Sequence, residues 1–334
     1  MSIENTLFEL SEAVGIGNIT EASDKAFKIL SDFAECRRTG ALTVIGEIRG
    51  KSDYTLMLDA HIDEVGFVVT DIDSDGFLTV KNCGGIDFGS LPARPVIIHG
   101  SQRVNGVFCS TPPHLGGNTE YGDVSALKID SLLGAKAKEI ISVGDFVTYS
   151  QKPAHLCGSR VTGKSIDDRA GVVCLLEVAK RLSKKQLPFN VVFALTDMEE
   201  LGTRGAKTAA FDISPDEAMV IDVSFAEGPD VTEDCGKMGE GAMIGVSPVL
   251  DKNISKRLIS LAKEKNIPYQ CEVMNGRTGT NGDVISVSKS GVKTSLVSIP
   301  ISNMHTDVET VDIKDIESVC DLIEQYILNG DSAL

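Results

Sequence analysis

DRAGVVCLLEVAKRLSKKQLPFNVVFALTDMEE, residues 168–200, decides the class of fold. Its first half sets Val172, Leu175, Leu176, Ala179 and Leu182 on one helical face, which predicts a helix over 168–185. Its second half contains NVVFALT, residues 190–196, a short continuous apolar run that reads as a buried strand. A helix feeding a buried strand is one unit of an α/β layer, and the alternation continues downstream. AMVIDV (218–223), PYQCEV (268–273) and VKTSLVSIP (292–300) read as strands. KRLISLAKEKN (256–266), VISVSKSG (284–291) and the closing IKDIESVCDLIEQYILNG (313–330) read as helices, the last ending at Gly330.

Upstream, residues 5–14 and 20–36 predict two opening helices, the second with Ala26, Phe27, Leu30 and Phe33 at helical spacing. TLMLDA (55–60) reads as a buried strand, and VGFVVTDI (65–72) and FLTVK (77–81) as strands around the turn Ser74-Asp75-Gly76. Between about 72 and 160 the texture changes to short β-like pieces, PVIIH, RVNGVFC and DFVTYS, separated by Gly, Pro and Asn. SALKIDSLLGAKAKEII (125–141) is the one helix expected there, interrupted by Gly134, while Gly84-Gly85 and Gly116-Gly117 read as turns. The expectation is a discontinuous α/β domain, 1–70 and 161–334, with a β-rich domain inserted at 71–160.

Composition narrows the function. A length of 334 residues exceeds what one core usually holds. Acidic residues number 48 against 32 basic ones, a net charge of −16, which argues against nucleic acid and against an anionic membrane surface. No apolar run approaches the roughly 18 residues of a membrane-spanning helix, and MSIENTLFELSEAVG lacks the pattern of a secretory signal. Eight cysteines without a CxxC pair predict reduced thiols in a cytoplasmic protein rather than a disulfide framework.

Polar residues interrupt the apolar strands where they would finish. His61 and Asp63 lie two apart in extended chain and so share a face; a metal-binding histidine commonly passes its second ring nitrogen to such a carboxylate. Asp167-Asp168 opens the long helix, an ordinary capping position, yet doubled beyond what capping needs. One carboxylate of that pair can bridge two ions while the other orients a neighbouring ligand or Arg169. Glu199-Glu200 follow a fully apolar strand, and neighbours in extended chain point apart, so the two can serve different roles. Asp222 lies inside AMVIDV, where burial demands either a basic partner or a metal. His305 follows VKTSLVSIP. Taken singly, each has a bland explanation as a cap, turn or ion pair. Together they offer only oxygen and nitrogen donors, suited to a pair of divalent cations, Zn2+ or Co2+ first and Mn2+ after them.

The segments LDAHIDEVGFVV, GKSIDDRAG, ALTDMEELGTRGA, VIDV, RTGTNGD and IPISNMHTDVETVD, in this order, resemble metallopeptidase family 42, the tetrahedral, glutamyl-aminopeptidase-like aminopeptidases. The resemblance runs over nearly the whole chain. It implies a mixed central sheet flanked by helices, the zinc-exopeptidase-like core, with an inserted β-barrel-like domain that makes dimers, six of which build a dodecamer. It implies His61, Asp167 and Asp222 as ligands of one metal and Asp167, Glu200 and His305 as ligands of the other. Glu199 would then be the general base on a water between the ions, and Asp63 would orient His61. The implied substrate is a short peptide with a free N-terminus. Departures from the family pattern are Met198 where Gln is usual, Asn281-Gly282-Asp283 in a GTDA-like run, Thr306-Asp307 after the histidine, and Gly84-Gly85-Ile86-Asp87-Phe88 for a GGWDP-like segment. Alternatives are a metal-dependent deacylase or dipeptidase of the same core, a glycosidase, or a metal-stabilised scaffold without activity. A glycosidase needs two carboxylates facing each other about 5–9.5 Å apart, a geometry adjacent glutamates do not naturally offer.

Overall fold

The computed structural model describes residues 2–115, 123–229, 231 and 235–330. The chain opens with α1 (Ile3–Glu12), capped by the Ser2 hydroxyl accepting the Asn5 N–H, and α2 (Glu21–Leu30). β1 (Glu35–Arg38), β2 (Val44–Ile48) and β3 (Thr55–His61) follow. Then come β4 (Gly66–Ile72), β5 (Leu78–Cys83), β6 (Pro95–His99), β7 (Arg103–Phe108), β8 (Lys128–Asp130), the single turn α3 (Ala137–Ile140) and β9 (Phe146–Tyr149). The remainder is β10 (Ala154–His155), β11 (Arg160–Gly163), α4 (Ile166–Leu182), β12 (Asn190–Thr196), α5 (Arg204–Ile213), β13 (Glu217–Phe225), β14 (Ala242–Val246), α6 (Lys252–Lys265), β15 (Tyr269–Val273), α7 (Gly282–Ile285), β16 (Lys293–Ser302), β17 (Glu309–Asp312) and α8 (Ile313–Leu328).

Eleven strands form one mixed sheet in the order β1-β2-β12-β3-β13-β16-β17-β11-β10, with β14 beside β16 and β15 beyond it. The centre, β12-β3-β13-β16, is parallel and buried on both faces, as continuous apolar strands require. Strand alternation divides the two faces. Leu56 and Leu58 point into a core shared with α1, α2, α4, α6 and α8, whereas Met57 points to a smaller one with Ala206, Ala209 and Ala210 of α5 and Ile285 of α7. All four parallel strands end at one edge, where β3 and β12 pair His61 with Thr196. The pairing of Val220 with Asp59 brings Asp222 level with His61 at that edge, the usual ligand side of such sheets.

The second body is a closed barrel, β4-β5-β8-β7-β6-β9, which leaves no open sheet edge. Its core is built from inward residues such as Val80, Val96, Ile98, Ile129 and Val147, and Phe67 meets Phe108 and Tyr149 edge-on at 5.0 and 6.0 Å.

The expected domain boundary at 70/71 falls within β4. That strand pairs with β5 and β9 and sends Phe67 and Val69 into the barrel, so the barrel's strands run from Gly66 to Tyr149. The apolar runs 55–60 and 65–69 are alike in composition, and nothing local distinguishes their sheets. The second opening helix stops at Leu30 rather than 36; Phe33 and Ala34 still pack on the core, but after the chain has turned toward β1. The helix expected over 125–141 forms only as the single turn α3 at its end. Gly134 at φ +55° packs against the Asp75–Gly76 turn, and β8 instead pairs with β5 and β7. In place of the helix expected over 284–291, α7 spans only Gly282–Ile285, and beyond it Lys289 and Gly291 adopt positive φ, which no continuing helix allows. The Gly116-Gly117 turn lies outside the described residues. No described helix is long and apolar enough to cross a membrane.

Candidate metal centre

Two strands, one helix start and two loops supply the site. His61 closes β3, Asp222 sits near the end of β13, Asp167 begins α4, Glu200 follows β12 and His305 follows β16. Asp167 stands between the imidazoles: its Oδ1 lies 3.0 Å from His61 Nε2 and its Oδ2 lies 3.1 Å from His305 Nε2. His61 Nε2 is 3.9 Å from Asp222 Oδ1, and His305 Nε2 is 3.2 Å from Glu200 Oε1. Two overlapping donor sets result, His61–Asp167–Asp222 and Asp167–Glu200–His305, each with its atoms within 4.8 Å of one another. Glu199 lines the same pocket and belongs to neither set.

The backbone of these residues is held by carboxylates behind them. Asp63 accepts the N–H groups of Glu199 and Glu200 at 3.0 and 3.2 Å, and its Oδ1 lies 3.4 Å from His61 Nδ1. Asp168 accepts the His61 N–H at 3.2 Å and caps the turn at Gly171, joined to Asp167 by a cis peptide. Arg169 turns away from that pair and donates to the carbonyls of Leu10 and Ala13, 3.7 Å from Glu64. Glu64 is wholly buried with Lys164 and the Ser165 hydroxyl, each 2.6 Å away. Glu309, which the motifs did not single out, accepts the N–H of Asp167 at 3.0 Å and that of His305 at 2.7 Å. One buried side chain thus fixes residues from both donor sets.

Other unusual positions also fall at the site. Asn281 is buried and donates to Asp59 at 2.8 Å and to the Thr196 hydroxyl at 2.9 Å, tying its loop to β3 and β12. Gly84, at φ +89°, leaves no room for a Cβ, which would sit 2.7 Å from Val65 and 3.1 Å from the Glu200 carboxylate. Arg94 of the barrel pairs with Asp307 at 3.1 Å, close to His305.

Charge tests whether divalent cations fit. No Lys or Arg is among the described residues lining the pocket, and buried carboxylates without partners are strongly disfavoured. Burial, then the neighbouring carboxylate of Asp167, pushes the Asp222 carboxyl well above its ordinary range despite the His61 imidazole. Burial likewise raises Glu199 to about 7. Against burial, the Asp167 and Glu200 carboxylates, accepting hydrogen bonds from the His305 imidazole, hold it up at about 11, and the two imidazoles keep Asp167 below the carboxylate range. This crowd of acids, with oxygen and imidazole donors only, fits divalent cations.

The profile of the M42 glutamyl aminopeptidase family matches residues 43–322. The lysyl aminopeptidase of Pyrococcus furiosus is 29% identical over 318 residues, spanning 91% of this chain and 90% of its own. Among solved structures, aminopeptidase APDkam598 of Desulfurococcus kamchatkensis superposes with a TM-score of 0.93 at 29% identity, covering 99% of this chain and 95% of that one. The Pyrococcus horikoshii TET1 peptidase, which can assemble into a tetrahedron or a large octahedral shell, superposes with a TM-score of 0.88 at 30% identity, covering 98% and 100%.

Proposed function

This chain belongs to the M42 glutamyl aminopeptidase family, and on that premise we propose that it is a dinuclear metal-dependent aminopeptidase that removes N-terminal residues from short peptides. The observation that carries the reading is Asp167, whose two carboxylate oxygens each face a different imidazole and so belong to two donor sets at once. His61, Asp167 and Asp222 would hold one ion, and Asp167, Glu200 and His305 the other. Bound there, divalent ions supply Lewis-acid polarisation of the scissile carbonyl and activation of the attacking water.

The protein's own groups do the rest. Glu199 lines the pocket beside the donor sets without belonging to either, and Asp63 fixes its backbone, so its carboxylate is free to take a proton from the nucleophile and return it to the leaving amine. Asp63 also faces His61 Nδ1, which favours the tautomer that leaves Nε2 as a donor to metal. Glu309 and Asp168 keep the ligand backbones from shifting when substrate enters. The negative wall attracts the substrate's free α-ammonium, which makes the enzyme an exopeptidase. Zn2+ or Co2+ are the preferred ions, followed by Mn2+. All eight cysteines carry free thiols, which supports a cytoplasmic setting. The TET1 relative's tetrahedral or octahedral assembly supports a large homo-oligomer of this chain, which on our reading is built from barrel-mediated dimers joined into a dodecamer.

A matched pair of short peptides, one with a free N-terminus and one acetylated, tests the reading. Release of the first residue from the free peptide alone, abolished by a chelator and restored by metal, is expected. Equal cleavage of both peptides, or cleavage that survives complete metal removal, contradicts it.

A further inference from the structure

Beside the metal cluster lies a cavity of about 570 Å³ whose remaining wall includes Thr203, Ser224, Phe225, Thr278, Asp283 and Met304. Outside the cluster and its general base, Asp283 is the one ionisable side chain among the described residues lining this cavity. Its Oδ1 accepts both the N–H and the hydroxyl of Thr278 at 2.8 Å, which holds the carboxylate in place. Its Oδ2 has a single long contact, 3.3 Å from the Gly279 N–H, and keeps capacity for another donor. Phe225 and Met304 add apolar surface to the same wall, and Phe225 is 53% exposed.

Apolar walls with one anchored carboxylate match a side chain that has an aliphatic stem and a cationic head. An acidic side chain would meet the Asp283 charge with no Lys or Arg among the described lining residues to neutralise it, an arrangement that selects by repulsion as well as attraction. The net charge of −16 acts in the same direction by drawing cationic peptides toward the protein. Resting on the aminopeptidase reading above, we infer that this pocket selects peptides whose N-terminal residue is lysine or arginine, and that Asp283 is the residue that selects them.

The test uses the full-length, metal-loaded protein with the p-nitroanilides of Lys, Arg, Leu and Glu. The expected kcat/KM for Lys and Arg exceeds that for Glu by about 100-fold and that for Leu by about tenfold, the scale of a single hydrogen bond to a charged group. Asp283→Asn should lower the Lys-to-Leu ratio about tenfold, chiefly through KM for the Lys substrate, and Asp283→Glu should recover much of it. A ratio measured within one variant does not depend on how much of that variant folds. Competition by free lysine against free glutamate in the unaltered protein gives a second measure, with lysine expected to inhibit at the lower concentration. A preference for Glu or Leu, or an unchanged Lys-to-Leu ratio in Asp283→Asn, overturns this inference and leaves the aminopeptidase reading standing. No release from any of the four overturns that reading and this inference with it.

Discussion

Glu199 and Glu200 are neighbours in the chain, yet only Glu200 faces an imidazole, 3.2 Å from His305. Their division of labour makes a sharp prediction. Glu199→Gln should retain both metal ions by elemental analysis while kcat falls about 10²- to 10⁴-fold, the usual share of a general base. Glu309→Gln should act differently, because Glu309 touches ligand backbones and not substrate. Its metal affinity should fall about 10- to 100-fold in competition with a chromophoric chelator, with activity recovered at high metal concentration. The first pair was legible in the sequence because an apolar strand ends abruptly in acids. Asp222 was legible because a lone charge interrupts a buried run. Glu309 was not, since its partners are main-chain N–H groups, one of them 142 residues away, and such contacts leave no periodicity behind.

At the scale of elements, the start of α4 matters most, because it presents Asp167 to both donor sets. Arg169, fully buried one turn in, ties this start to the carbonyls of Leu10 and Ala13 and to Glu64. Arg169→Met should destabilise the fold by about 3–5 kcal/mol in urea denaturation, because buried charges and carbonyls lose a partner. A loss below about 1 kcal/mol would show that α1 docks without it. The strands at the centre of the sheet were legible from unbroken apolarity, and α4 and α8 from their spaced apolar faces. Elements with weaker signals were not. The buried face of α5 is largely Ala206, Ala209 and Ala210, too small to mark a stripe, and β8 hides in an Ala- and Lys-rich stretch whose strand state is set by closure of the barrel.

For the whole molecule, two bodies share one site: the sheet edge supplies the donors, and the barrel leans Gly84, Gly85 and Arg94 against Glu200, His305 and Asp307. The insertion was legible as a change of texture, but its edge was not, because β4 is as apolar as β3 before it. Static light scattering should report a mass near that of twelve 35.6 kDa chains, with dimers as the smaller species; a lasting monomer at working concentration would contradict the proposed assembly. The central claim is that two ions share Asp167 and act together on an N-terminal peptide bond. Titrating metal-free protein with Zn2+ or Co2+, while following both bound metal and release of the first residue of a tripeptide, tests it most directly. Activity should climb to its plateau at two bound ions per chain; full activity without metal, or two bound ions with no release, would contradict the account.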